Sequence, residues 1–182
     1  MTISEAIIEY CSPTLAGIKV GSLFGLTPED PVTFCQEAEA ISRSFEEKGI
    51  RLDLIPSANG RYLCYLYRPA QLQLLLSSPE IRAFLTEQDY NEDTPILPCL
   101  YQRLSIHEEF PHEIGIFLGY PLSDVKAFIE NRGYNCLCCG CWKVYSNVAD
   151  ARAQFDRCKK CTRQYKLMFR NGYTIQDLAV AA

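Results

Sequence analysis

The segment RLDLIPSANGRYLCYLYR, residues 51–68, limits the fold more than any other stretch of the chain. Two apolar runs flank Asn59-Gly60, a pair suited to the two left-handed conformations of a tight type I′ turn, so the segment reads as a β-hairpin. Alternation puts Leu63, Tyr65 and Tyr67 on one face of the second strand and Tyr62, Cys64 and Leu66 on the other. A strand that is apolar or aromatic on both faces is a central strand, covered above and below.

The flanking sequence supplies a partner and the cover. Residues 15–26, LAGIKVGSLFGL, are a second β candidate, with Ala16, Ile18, Val20 and Phe24 on one face and Gly17, Lys19, Gly21 and Gly25 on the other. Glycines in a strand mark close approach of a ligand or of another backbone, and Lys19 among them is a candidate anion contact. Ile3 to Tyr10 reads as a short amphipathic helix that Ser12-Pro13 ends. Thr27-Pro28-Glu29-Asp30 signals the start of a helix running to about Lys48 and closed by Gly49, with Phe34, Ala38, Ile41 and Phe45 as its inner stripe. From Pro69 to His107 the pattern is helical, broken at Ser78-Pro79 and at YNEDTP before Ile96.

Composition sets the outer bounds. With 182 residues the chain fits a single domain, 1–182, with a sizeable core. No apolar run approaches the roughly 20 residues of a membrane helix, and the first residues, with Glu5 and Glu9 and no basic start, do not form a secretion signal. The expected location is the cytosol. Ten cysteines then read as core residues, metal ligands or redox thiols rather than a disulfide framework. Residues 131–182 hold nine Lys/Arg against three Asp/Glu, whereas residues 1–130 are acidic, so the two parts can attract each other or the basic part can face an anionic ligand.

Residues 110–133, FPHEIGIFLGYPLSDVKAFIENRG, read as a helix from Pro111 through Leu118, a turn at Gly119-Tyr120-Pro121, and a helix closing at Gly133. The spacing resembles a DNA-binding helix–turn–helix, but its second helix has as many acids as bases, against the demand of phosphate contacts for Lys/Arg. A packed helix pair is the expectation and nucleic acid is not the expected partner. His107-Glu108 and His112-Glu113 do not match a zinc-protease motif, since the histidines are five apart and Pro111 lies between them. His112-Glu113 remains a candidate acid/base pair, set against an exposed first-turn reading.

Cys138-x-x-Cys141 and Cys158-x-x-Cys161, with sixteen residues between the pairs, have the spacing of a four-thiolate zinc site. Two features oppose it. Tyr134 to Tyr145 reads as a strand on which Cys138 and Cys141 face opposite ways, unless Gly140 breaks it into a turn. Asn147 caps a long helix whose apolar stripe is Val148, Ala151, Phe155, Cys158, Thr162, Tyr165 and Phe169, which makes Cys158 a core residue. Gly172 ends that helix and a short last one spans Ile175 to Val180.

CSPTLAGIKVGSLF at 11–24, FPHEIGIFLGYPLSDVKAFIENRG at 110–133, CGCWKVYSN at 139–147 and KKCT at 159–162 resemble a family of bacterial proteins known as domain of unknown function 3793. The resemblance covers essentially the whole chain and implies no particular reaction. It implies a tyrosine at the position of Cys141 and no fixed cysteine at 158, so that a four-cysteine site would be peculiar to this chain. Its segments point instead to Cys11, Lys19, His112, Glu113, Trp142, Lys143 and Tyr145.

These readings combine into an α+β fold of order β-α-β-β-(several α)-β-α-α, a mostly antiparallel sheet of about four strands covered by helices that include the helix–turn–helix-like pair. The first functional expectation is a protein that binds a small molecule or cofactor, or an enzyme, with a pocket near Lys19 and His112-Glu113. The second is a zinc- or thiol-dependent protein built on Cys138, Cys141, Cys158 and Cys161. The third is a helix–turn–helix regulator.

Overall fold

A computed structural model of the chain describes residues 1–91, 94–106 and 110–181. The His107-Glu108 pair and part of the YNEDTP loop lie outside the described residues. Three antiparallel strands form the main sheet: β1 (Gly21–Leu26), β2 (Arg51–Pro56) and β3 (Tyr62–Tyr67), in the order β1-β3-β2. The double apolar pattern of β3 explains its central place. Phe24 and Leu54 pair opposite Cys64, and Leu23 and Asp53 opposite Tyr65. Asn59 and Gly60 both take left-handed conformations at the hairpin tip, where Arg61 N–H donates back to Ala58 C=O at 3.2 Å.

Each face of β3 feeds its own apolar core. Cys64 and Leu66 point toward α1 (Ile3–Leu15) and α2 (Pro31–Phe45), where Ile7, Leu15, Phe34, Phe45 and Leu52 are buried with them. Leu63, Tyr65 and Tyr67 point to the other side, toward α3 (Pro69–Leu76), α4 (Pro79–Glu87), α5 (Ile96–Ile106), α6 (Ile114–Phe117) and α7 (Leu122–Glu130). Two-residue strands β4 (Cys138–Cys139) and β5 (Lys143–Val144) pair as a separate antiparallel hairpin. The chain ends with α8 (Val148–Arg170) and α9 (Ile175–Leu178). The fold is therefore α+β, with antiparallel sheets and many helices.

Several boundaries differ from those expected. α1 continues through Pro13 to Leu15, so the first strand begins at Gly21 rather than near residue 15. Pro13 lies in the last turn, so few helical bonds follow it, and the helix end is capped from elsewhere. Pro13 C=O accepts from Ile18 N–H and Lys19 N–H, and the buried Arg68 guanidinium donates to Thr14 C=O and Leu15 C=O at 2.7 Å each. A cation at a helix C-terminus also meets the negative end of the helix dipole. Arg68 reaches Val180 C=O as well, tying the chain's last residues to the end of α1.

α2 starts at Pro31 rather than after Thr27, because Asp30 accepts from Val32 N–H and Thr33 N–H. Its stripe Phe34, Ala38, Ile41 and Phe45 is buried, and Gly49 is left-handed after it. The expected helix from Pro111 shrinks to the single turn of α6, because the N–H groups of Ile114, Gly115 and Ile116 bond only three residues back. The strand expected over 134–145 is folded in two, with its tip at Gly140-Cys141. Gly140 sits so close to the Phe155 ring that a Cβ there would stand 2.3 Å from it. No helix is long and apolar enough to cross a membrane among the described residues.

Candidate functional site

The C-terminal hairpin owes its position to one carboxylate. Asp124, in the first turn of α7, is only 3% exposed. Its Oδ1 accepts from Tyr145 N–H at 2.9 Å, Ser146 N–H at 3.0 Å and Ser146 Oγ at 3.0 Å, and its Oδ2 accepts from Trp142 Nε1 at 2.7 Å. A buried carboxylate is tolerable when its lone pairs are filled in this way. Trp142, so held, stacks on Tyr120 at 5.1 Å between ring centroids and meets the Phe155 edge at 4.6 Å. α8 thus has two tasks: Ala151 and Phe155 support the hairpin, while Tyr165, Met168 and Phe169 pack against the core beneath α1.

Three adjoining cavities open around this cluster. The first, about 460 Å³, lies among the residue 18–20 bend, the α6–α7 turn, Trp142 and the first turns of α8, with Lys19, Tyr120, Cys141, Trp142 and Cys158 in its wall. The second is a groove of about 650 Å³ along α8 and α1, lined by Lys19, Lys159, Arg163 and Lys166. The third, about 340 Å³, lies on the far side of Tyr120 and Trp142 and includes His112, Phe128 and Lys143. Tyr120 and Cys141 line all three.

Lys19 brings a positive charge to the cavity wall. Its Nζ stands 5.1 Å from the centroid of the Tyr120 ring. Burial lowers its pKa, because desolvation disfavours the charged form. The two carboxylates in the first cavity are engaged elsewhere, Asp124 by the hairpin and Asp150 by Asn147 Nδ2. Cys141 is exposed at the hairpin tip and Cys158 is buried in α8. The Cys141 thiol is pulled down to about 6, first by a hydrogen bond from the Cys158 thiol, against the cost of partial burial, and then by the charges of Lys19 and Lys159. The same pairing, together with desolvation, pushes Cys158 up and keeps it protonated.

The residues singled out in the sequence are divided by the structure. Lys19 and Trp142 share the first cavity. His112 is exposed, edge-on to Phe128 in the third cavity. Lys143 lines that cavity too, with its Nζ donating to Gly133 C=O at 2.7 Å. Glu113 lines none of the three cavities: it is buried, paired with Arg103 at 3.0 Å, and accepts from Tyr90 OH at 3.2 Å. Cys11 is fully buried in the core beneath β3, where desolvation pushes its thiol up. The Tyr145 hydroxyl is buried with no hydrogen-bond partner among the described residues, while its backbone serves Asp124.

Of the four thiols with zinc-site spacing, Cys141 and Cys158 are neighbours. Cys138 packs beside Val144, Ala151 and Phe155, and Cys161 lies a turn further along α8. Among the described residues, no three His, Cys, Asp or Glu side chains are grouped so that they could hold a metal ion. Sequence reasoning passed over Tyr120 and Asp124. Tyr120 read as the middle of a turn, and Asp124 only as one of the acids that balance the bases of the second helix. Nothing local marks either one, because their partners lie some twenty residues away across a hairpin.

No curated protein and no solved structure matches this chain. The model of the family described as protein of unknown function (DUF3793) matches residues 7–179, nearly the whole chain, and the chain belongs to that family.

Proposed function

We propose that the protein binds a small molecule in the cavity walled by Lys19, Tyr120 and Trp142, with an anionic group on Lys19 and a flat apolar part against the two rings. One observation carries this reading. The four segments that bear the family resemblance are separate stretches of the chain, yet the cavity and the groove beside it draw wall residues from all four: Lys19, Tyr120, Trp142 and Lys159 are one from each. A largely apolar concavity with a few convergent polar groups is the usual form of a ligand site. A lysine in the wall without a carboxylate partner suits an anionic group of the ligand. His112 and Lys143 line the separate cavity on the far side of the same ring pair.

Trp142 is the chain's only tryptophan and lines two of the cavities, so it reports on occupancy directly. Titration with anilinonaphthalene sulfonate, a flat aromatic anion, should quench Trp142 emission saturably with one equivalent bound. Lys19→Met should weaken that binding about tenfold or more, the value of a charge-assisted contact. Non-saturable quenching, or equal affinity in the Lys19→Met protein, would overturn the proposal.

A further inference from the structure

We propose that Cys141 and Cys158 form a thiol–disulfide couple that reacts with small anionic disulfides entering along the basic groove. The couple is a site of covalent chemistry separate from reversible binding in the first cavity. Of the ten cysteines, Cys141 and Cys158 are the two that line both the first cavity and the groove. They differ as a nucleophile and a resolving thiol must. Cys141 is exposed, at the tip of a hairpin whose strands are two residues long, where Gly140 N–H bonds only locally to Trp142 C=O. Cys158 is 6% exposed and fixed in the middle of a 23-residue helix. The exposed partner can therefore meet an incoming disulfide, and the buried one beside it can resolve the adduct.

The groove indicates the charge of the substrate. Lys19, Lys159, Arg163 and Lys166 line it against a single carboxylate, Glu9, which Lys166 pairs with. Three cations remain beside the thiols, and they favour negatively charged ligands both in approach and once bound. The charges of Lys19 and Lys159 also favour the thiolate form of Cys141.

The chemistry balances without a further reagent. The Cys141 thiolate attacks one sulfur of a disulfide RS–SR; the ligand S–S bond breaks, RS⁻ leaves and takes a proton from water, and a Cys141–S–S–R mixed disulfide remains. Cys158 then loses its proton to solvent and attacks the Cys141 sulfur, expelling the second RS⁻. Two protein thiols are oxidised by two electrons, and the ligand disulfide is reduced to two thiols. Excess RSH reverses both steps.

The test uses the full chain at pH 7 and low salt, with glutathione disulfide as the anionic probe and cystamine as the cationic one. Mass spectrometry of peptides from the non-reduced protein should show a Cys141–Cys158 link. Cys158→Ala should stop the reaction at a glutathione adduct on Cys141, and Cys141→Ser should abolish adducts at 158. Glutathione disulfide should react about tenfold faster than cystamine, and the ratio should fall toward one as salt shortens the reach of the groove's charges. Adducts confined to exposed Cys139, no 141–158 link in the unmutated protein, or cystamine reacting as fast as glutathione disulfide would each overturn the proposal. None of these outcomes depends on whether the first cavity binds anilinonaphthalene sulfonate, so the two readings fail separately.

Discussion

β3 lies between two six-residue partners, and its side chains from Leu63 to Tyr67 are buried on both faces. β4 and β5 pair over two residues each, and their exposed tip is held by Asp124 and the Phe155–Trp142 contact. The sheet is secured by apolar area, which is spread over many residues and tolerates approximate fit. The hairpin is secured by a few directional bonds to one carboxylate, which fix position closely but fail together. The cavities lie at the second region, so the part of the molecule best suited to bind is the part with the fewest independent supports.

Substitutions in each region test that contrast. Leu66→Ala, at a fully buried position of the central strand, should cost roughly 2–5 kcal/mol, and all probes should report one cooperative transition. Asp124→Ala leaves the Trp142 indole N–H, the Tyr145 and Ser146 amides and the Ser146 hydroxyl without their acceptor, at a cost of about 2–4 kcal/mol. Its mark should be an early red shift of Trp142 emission during urea unfolding, ahead of the loss of far-ultraviolet dichroism. Coincident transitions in this variant would mean that hairpin and sheet are a single cooperative unit. Gly140→Ala forces a methyl into the Phe155 ring and should cost about 1–3 kcal/mol with the same early Trp142 signal.

Cys141 offers a test by pH. Its folded-state pKa of about 6 lies below the ordinary thiol value of 9, so the folded state favours the thiolate. The stabilisation from Cys141 builds as pH rises from about 6 to 9 and is lost as pH falls through about 6; above 9 the raised pKa of Cys158 acts in the opposite direction. Iodoacetamide labelling of Cys141, followed by peptide mass spectrometry, should show a rate midpoint near pH 6 that moves upward in Cys158→Ala, since the hydrogen bond from the Cys158 thiol is removed. A midpoint near 9 in the unmutated protein would refute the electrostatic picture of the site. The smallest effect should come from Lys19→Met. Removing this cation should change stability by no more than about 0.5–1 kcal/mol, because relief of its desolvation is offset by loss of its attraction to the Cys141 thiolate, while anion binding weakens.

Much of the sheet was legible because its signals are local. Asn59-Gly60 states its own turn, and the two-faced pattern of residues 62–67 states its own burial. The inner stripe of α2 could be read for the same reason: a period of 3.6 is a property of neighbours on one helix. Boundaries failed where a distant group intervened. Pro13 looked like a stop, yet Arg68, more than fifty residues on, satisfies the carbonyls that follow it. His112 and Glu113 are adjacent in sequence, yet one faces a cavity and the other faces Arg103. Cys138 and Cys141 looked like two ends of one motif, whereas Gly140 turns the strand and brings Cys141 to Cys158 instead.

The sequence by itself determined the central strand, the run of helices after it and the absence of a membrane-length apolar segment, all of which follow from periodicity and composition over a few turns of chain. The tertiary structure alone decided which chemical groups meet. Lys19 met Tyr120, Asp124 met the Trp142 indole, and Cys141 met Cys158, because each pair is joined by packing between separate elements rather than by spacing along one. A side chain's partner across a cavity depends on how two surfaces dock, and no local pattern of residues encodes that.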